Sequence, residues 1–157
     1  MSAKKITVVG AGHVGATCSQ LLSQKELAKE VILVDIADGI PQGKGLDQWE
    51  SAPIEGFDSR VSGANDYESS AGADIFIVTA GIARKPGMSR DDLLKKNFDV
   101  MKSVTEQVAP RSPDAFLIIV SNPLDAMAYT ALKVSGDRKS TRLNSSHSSV
   151  SRMPSSA

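Results

Sequence analysis

The residues best suited to chemistry lie near the start of the chain. Gly10-Ala11-Gly12-His13-Val14-Gly15 is a GxGxxG run. It follows the β-branched segment Lys4–Val9 and leads into Val14, Cys18, Leu21 and Leu22, which recur at helical spacing. Asp35 closes the next apolar run, 20 residues after Gly15. A glycine turn between strand and helix, with an acidic residue ending the following strand, is an arrangement that holds a dinucleotide. Gly10 permits the tight turn, Gly12 lets the backbone approach a pyrophosphate, and Gly15 lets the helix lie close to the strand. The N–H groups at the helix start, with their partial positive charge, face the phosphates. Asp35 would accept hydrogen bonds from the ribose hydroxyls and repel a 2′-phosphate, which favours NAD over NADP. Ala11, His13 and Val14 complete the loop. His13 reads as a solvated loop residue with backbone contacts, not as a catalytic base.

A second stretch, Gly81-Ile82-Ala83-Arg84-Lys85-Pro86-Gly87-Met88-Ser89-Arg90, follows the strong apolar run Ile75–Ala80. Arg84 and Arg90 stand six residues apart on a glycine-bounded loop. Guanidinium groups bind carboxylates bidentately, so such a loop suits closure over an anionic substrate. From spacing alone, a solvated basic loop beside Asp91 and Asp92 is an equally good reading.

These residues need a frame. Val31–Val34 reads as a second strand apolar on both faces. Gly39–Ser51 has a weaker helical pattern stopped by Pro53, and Arg60–Ala64 reads as a short strand. Ser89 is a helix N-cap followed by Asp91 and Asp92. Leu94, Phe98, Met101 and Val108 give that helix its apolar side, and Pro110 and Pro113 end it. Phe116–Val120 reads as a buried strand. Pro123 suits N1 of a last helix lined by Leu124, Met127, Ala128, Ala131 and Leu132. Alternating strands and helices predict an α/β fold, a doubly wound parallel sheet of the Rossmann type.

Composition bounds the alternatives. The chain has 157 residues, 41% of them hydrophobic, with a formal net charge of zero, which fits one soluble domain and gives no support to a nucleic-acid or membrane partner. Cys18 is the only cysteine, so neither an internal disulfide nor a cysteine-based metal cluster is expected, and the cytoplasm is the default compartment. Composition shifts at Gly136. Residues 137–157 read DRKSTRLNSSHSSVSRMPSSA, with eight serines among 21 residues. The corresponding codons resemble a short-read sequencing adapter, so this segment is read as a non-native, disordered tail. Residues 1–136 are then an incomplete NAD-binding domain with 14 basic and 17 acidic residues. His147 falls in the tail and drops out as a base.

GAGHVG, VDI with Asp35, GIPQGKGLDQWESAPIEGF, VTAG, ARKPGMSRDDLLKKN and VSNPLD together resemble malate dehydrogenases of the lactate-dehydrogenase-like class, within the lactate/malate dehydrogenase superfamily. The resemblance spans residues 4–135. It implies an NAD-dependent oxidoreductase of the tricarboxylic acid cycle, acting on a small dicarboxylate (malate or oxaloacetate) as a homodimer or homotetramer. Arg84 matches the position that reads the substrate's distal group, and Arg90 the arginine that polarises the reacting carbonyl. Asn97 matches a cofactor-contacting asparagine. Val120, Ser121 and Asn122 match the segment beside the nicotinamide, with Asn122 also reaching the substrate oxygen and a cis bond expected at Asn122–Pro123. Thr79, Ala80 and Gly81 would pass beside the cofactor through their backbone. No metal is implied. The family's catalytic histidine, its aspartate partner, a second carboxylate-binding arginine and the sixth strand would lie beyond Ser135, leaving this stretch inactive. The remaining alternatives are a lactate or other 2-hydroxyacid dehydrogenase, and a stand-alone dinucleotide-binding module.

Overall fold

The computed structural model describes residues 3–83 and 86–136. The order of elements is β1 (Ala3–Val9), α1 (His13–Gln24), β2 (Ala28–Val34), α2 (Ile40–Glu50), α3 (Ala52–Glu55), β3 (Arg60–Ala64), β4 (Ile75–Val78), α4 (Arg90–Arg111), β5 (Phe116–Ile119) and α5 (Leu124–Ser135). All five strands are parallel, in the order β3-β2-β1-β4-β5. The chain therefore winds outward from β1 through β2 to β3, then returns to the other side of β1 with β4. That reversal opens a crevice at the carboxyl ends of β1 and β4, where doubly wound sheets bind ligands.

The two sheet faces bury separate cores, as a parallel sheet flanked by helices requires. Val9, Phe76 and Val78 pack with Met101, Val104 and Val108 of α4 and with Met127 and Ala131 of α5. Ile6, Val8, Val31, Leu33 and Ile77 pack with Leu22 of α1 on the opposite face.

Several expectations need correction. The buried face of α1 is Gly15, Ser19, Leu22 and Ser23, while Val14 is 61% and Leu21 47% exposed. Helix and sheet approach too closely there for large side chains, so small residues take the inner face. Helix α2 ends at Glu50, ahead of Pro53 as expected, but Pro53 itself sits in the first turn of the short α3, where no N–H is needed. Pro110 lies inside α4, which runs on to Arg111, because in the last turn its missing donor forfeits a single bond. The last strand is not fully buried: Phe116 is 57% and Ile118 47% exposed, on a strand paired only with β4 among the described residues. Pro123 stands one residue earlier than expected, as the N-cap of α5.

Candidate functional site

The glycine run forms the turn from β1 into α1. Gly10 has φ +107°, a conformation closed to residues with a Cβ, and its N–H donates to Val34 O at 2.7 Å. A Cβ on Gly15 would stand 1.7 Å from Gly10 O, so only glycine allows α1 this close to the turn. A Cβ on Gly12 would meet nothing within 4 Å, so the space above Gly12 is open. Gly12 caps α1 without a side-chain hydrogen bond, and the first N–H groups of the helix have no intrahelical partner. The open donors are therefore those of the helix start, with the positive end of the helix behind them, which suits phosphate.

Asp35 follows β2 and faces this turn. Its Oδ2 accepts from the Ala11 N–H at 2.6 Å and its Oδ1 from the Ala37 N–H at 2.9 Å. Lys44, on α2, donates from Nζ to Ala11 O at 2.6 Å. Ala11 is thus held by an anion at its N–H and a cation at its carbonyl. Asn65 Nδ2 bonds Asp35 O at 2.7 Å and Ala37 O at 2.9 Å, fixing the backbone that carries the carboxylate. The Tyr67 phenol is pushed up to about 12 by burial and by the negative charge of Asp35, with Arg111 opposing, so it remains protonated.

The loops leaving β4 and β5 meet the glycine turn at the same sheet edge. Thr79 Oγ1 reaches Val9 O at 3.1 Å and Gly10 O at 3.2 Å. Ser121 Oγ donates to Ala80 O at 2.5 Å, joining the two strand exits. Asn122 is exposed, and its bond to Pro123 is cis, as expected. Val120 is 43% exposed at the same exit. Asn97 is interior and bonded to Ile82 and to Asn122 O.

The arginine loop returns to helix at Ser89. Ser89 Oγ accepts from the Asp92 N–H at 3.0 Å, and Asp92 Oδ2 accepts from the Ser89 N–H at 3.2 Å, a reciprocal capping box. The Ser89 hydroxyl and N–H hold the Asp92 carboxyl below the usual carboxylate range. Arg90 is exposed and opens α4. Arg84 and Lys85 lie outside the described residues, as do residues 137–157 with His147. The structure thus brings together Gly10, Ala11, Gly12, Gly15 and Asp35, with His13 and Val14 exposed in the first turn of α1, and sets Ser121 and Asn122 on the neighbouring strand exit. Sequence reasoning missed Lys44, Asn65 and the hydroxyl of Thr79. No pattern marked them, because each acts through a contact made only by folding. Among the described residues no group of three or more His, Cys, Asp or Glu could hold a metal, and no helix is long and apolar enough to cross a membrane.

A doubly wound parallel sheet with a glycine turn, an uncapped helix start and an acidic residue ending β2 defines a dinucleotide-binding domain. The chain belongs to the lactate/malate dehydrogenase family, whose NAD-binding-domain model matches residues 4–143. That match runs past Gly136 and marks no break there. Malate dehydrogenase from Chloroherpeton thalassium is 59% identical over 132 residues, which cover 84% of this chain and 43% of that protein. The structure of malate dehydrogenase from Salinibacter ruber superimposes with a TM-score of 0.79 at 51% identity, over 85% of this chain and 41% of that one. A lactate dehydrogenase from Cryptosporidium parvum, complexed with lactic acid and nicotinamide adenine dinucleotide, gives 0.80 at 42% identity, over 87% and 43%. The chain therefore spans less than half the length of the relatives it matches, and the family's cofactor is NAD.

Proposed function

We propose that the chain is the cofactor-binding part of an NAD-dependent malate dehydrogenase, an oxidoreductase interconverting (S)-malate and oxaloacetate. The observation that carries this reading is Arg84, an arginine in the substrate loop of a chain of this family. Malate and oxaloacetate end in a second carboxylate, which a guanidinium complements. Pyruvate ends in a methyl, which leaves a guanidinium without a partner and desolvated to no gain.

Gly10, Ala11, Gly12, His13, Val14 and Gly15 would form the cofactor turn, with the pyrophosphate held by the N–H groups at the start of α1, since those of Gly10 and Ala11 are taken by Val34 O and Asp35 Oδ2, and Asp35 would hold the adenosine ribose. The open space over Gly12 and the uncapped start of α1 support the fit. The bound nicotinamide supplies hydride transfer, so the protein's share is positioning and electrostatics. Val120 and Ser121 would line the nicotinamide side. Asn122 would hydrogen-bond the substrate oxygen. Arg90 would stabilise the negative charge on that oxygen as hydride arrives. Closing of the 81–90 loop would exclude water and bring Arg90 to the carbonyl.

The general base is proposed to come from a histidine outside this chain, since His13 is committed to the glycine turn and His147 lies in the 137–157 segment. The domain is proposed to be residues 1–136, with residues 137–157 of adapter origin. Sequencing the source DNA across codon 137 tests this, and a second clone encoding the same tail would contradict it. We place the enzyme in the cytoplasm as a homodimer or homotetramer, with no nucleic-acid or membrane partner. The likeness to the lactate dehydrogenase structure supports a second reading, a lactate or related 2-hydroxyacid dehydrogenase. In the enzyme extended to the length of its relatives, Arg84→Gln should move preference from oxaloacetate towards pyruvate. An unchanged preference would refute the malate assignment.

A further inference from the structure

Asn97 sits on α4, two turns beyond Arg90, and is 2% exposed. A buried carboxamide without partners is costly, so what it bonds is informative. Its Oδ1 accepts from the Ile82 N–H at 2.8 Å. Its Nδ2 donates to Asn122 O at 2.6 Å and to Ile82 O at 3.2 Å. Both amide protons are thus used, and the oxygen already accepts one hydrogen bond within a side chain that is almost wholly enclosed. A Cβ on Gly81 would stand 3.3 Å from Oδ1, so the chain entering the arginine loop is packed directly on the carboxamide. The links continue outward, from Ser121 Oγ to Ala80 O and from Thr79 Oγ1 to Gly10 O.

We propose that Asn97 is a positioning residue. Its carboxamide clamps the root of the arginine loop, at Ile82, to the backbone of Asn122. The resemblance implies a cofactor contact for this residue; the geometry assigns the side chain to the protein's own backbone instead. The clamp joins the two segments that face the substrate in the proposed function, and its importance for catalysis rests on that reading. A carboxamide is suited to the task because it donates and accepts on one rigid plane, so it can fix a loop residue at both its N–H and its carbonyl.

The test is amide hydrogen exchange, followed by NMR on the 157-residue chain without cofactor. Asn97→Ala removes the clamp, and Asn97→Leu removes it while filling nearly the same volume, should the alanine variant fail to fold. In either folded variant the Ile82 amide should exchange at least about tenfold faster, with Val8 and Ile77 of the sheet unchanged. NAD should bind several-fold more weakly, with AMP, which spans only the adenosine half, bound as before. Unchanged Ile82 exchange with weakened NAD would make Asn97 a direct ligand and overturn the proposal. A uniform rise across sheet and loop would make it general support for the fold, and would overturn it equally. Failure of the unaltered chain to bind NAD would refute the proposed function and leave the Ile82 measurement to decide the clamp.

Discussion

Two glycines of the same turn should respond in opposite ways to one added methyl group. A Cβ on Gly15 would lie 1.7 Å from Gly10 O and 2.8 Å from Thr79 Oγ1. Ordinary contact needs about 3.4 Å, so α1 must move outward by roughly 1.5 Å or the turn must distort. Overpacking of this kind costs about 1–3 kcal/mol. For a domain of this size that is a drop in Tm of roughly 3–10 °C. Gly12 has φ −66°, open to any residue, and its Cβ would meet nothing within 4 Å. Gly12→Ala should therefore leave stability unchanged or raise it by about 0.4–1 kcal/mol, by restricting the unfolded chain. The same methyl group would stand where a pyrophosphate must come within hydrogen-bond reach of the backbone, so NAD affinity should fall at least about tenfold, or ~1.4 kcal/mol. Thermal melts with and without NAD read both quantities. A Gly15→Ala protein as stable as the original would refute the close helix packing. A Gly12→Ala protein with full NAD affinity would refute the backbone approach.

Further outcomes follow from individual contacts. Lys44→Met removes the cation from Ala11 O and should weaken NAD by about three- to tenfold with little change in Tm, read by calorimetric titration; an unchanged affinity would reduce Lys44 to a structural contact. The lowered carboxyl of Asp92 contributes stability above its unfolded value of 3.8 and loses it as pH falls through the lower folded value. Asp92→Asn should therefore be less stable than the original near neutral pH, with the gap between the two proteins closing as pH falls through the lowered folded value. If the difference persists there, the capping charge is not its source. Purified chain should show no appreciable malate oxidation, and measurable turnover would place a general base within these residues.

The glycine turn was legible because its requirements are local: a positive φ at Gly10 and a close approach at Gly15 can be met by no other residue, and Asp35 is placed by the length of one βα unit. The parallel, doubly wound sheet followed from the alternation of strands and helices, whereas the strand order β3-β2-β1-β4-β5 became visible only in the fold. The inner face of α1 was not legible. Periodicity weighs apolar residues, whereas the approach enforced at Gly15 selects for small ones, so Ser19 and Ser23 are buried while Val14 is exposed. Ser19 Oγ lies 2.9 Å from both Ala16 O and Gln48 Oε1, two acceptors for its one proton that no pattern marks. Lys44 escaped notice because its role depends on α2 folding back over the glycine turn. Asn97 was singled out only through resemblance, and its hydrogen bonds to Ile82 and Asn122 became visible only in the fold.

The most direct measurement is calorimetric titration of the purified chain with NAD and, separately, with NADP. One saturable NAD site is expected, with NADP bound at least about tenfold more weakly and a gap that narrows in Asp35→Ala because the carboxylate no longer repels a 2′-phosphate. Absence of NAD binding, or equal affinity for the two dinucleotides, would contradict this expectation.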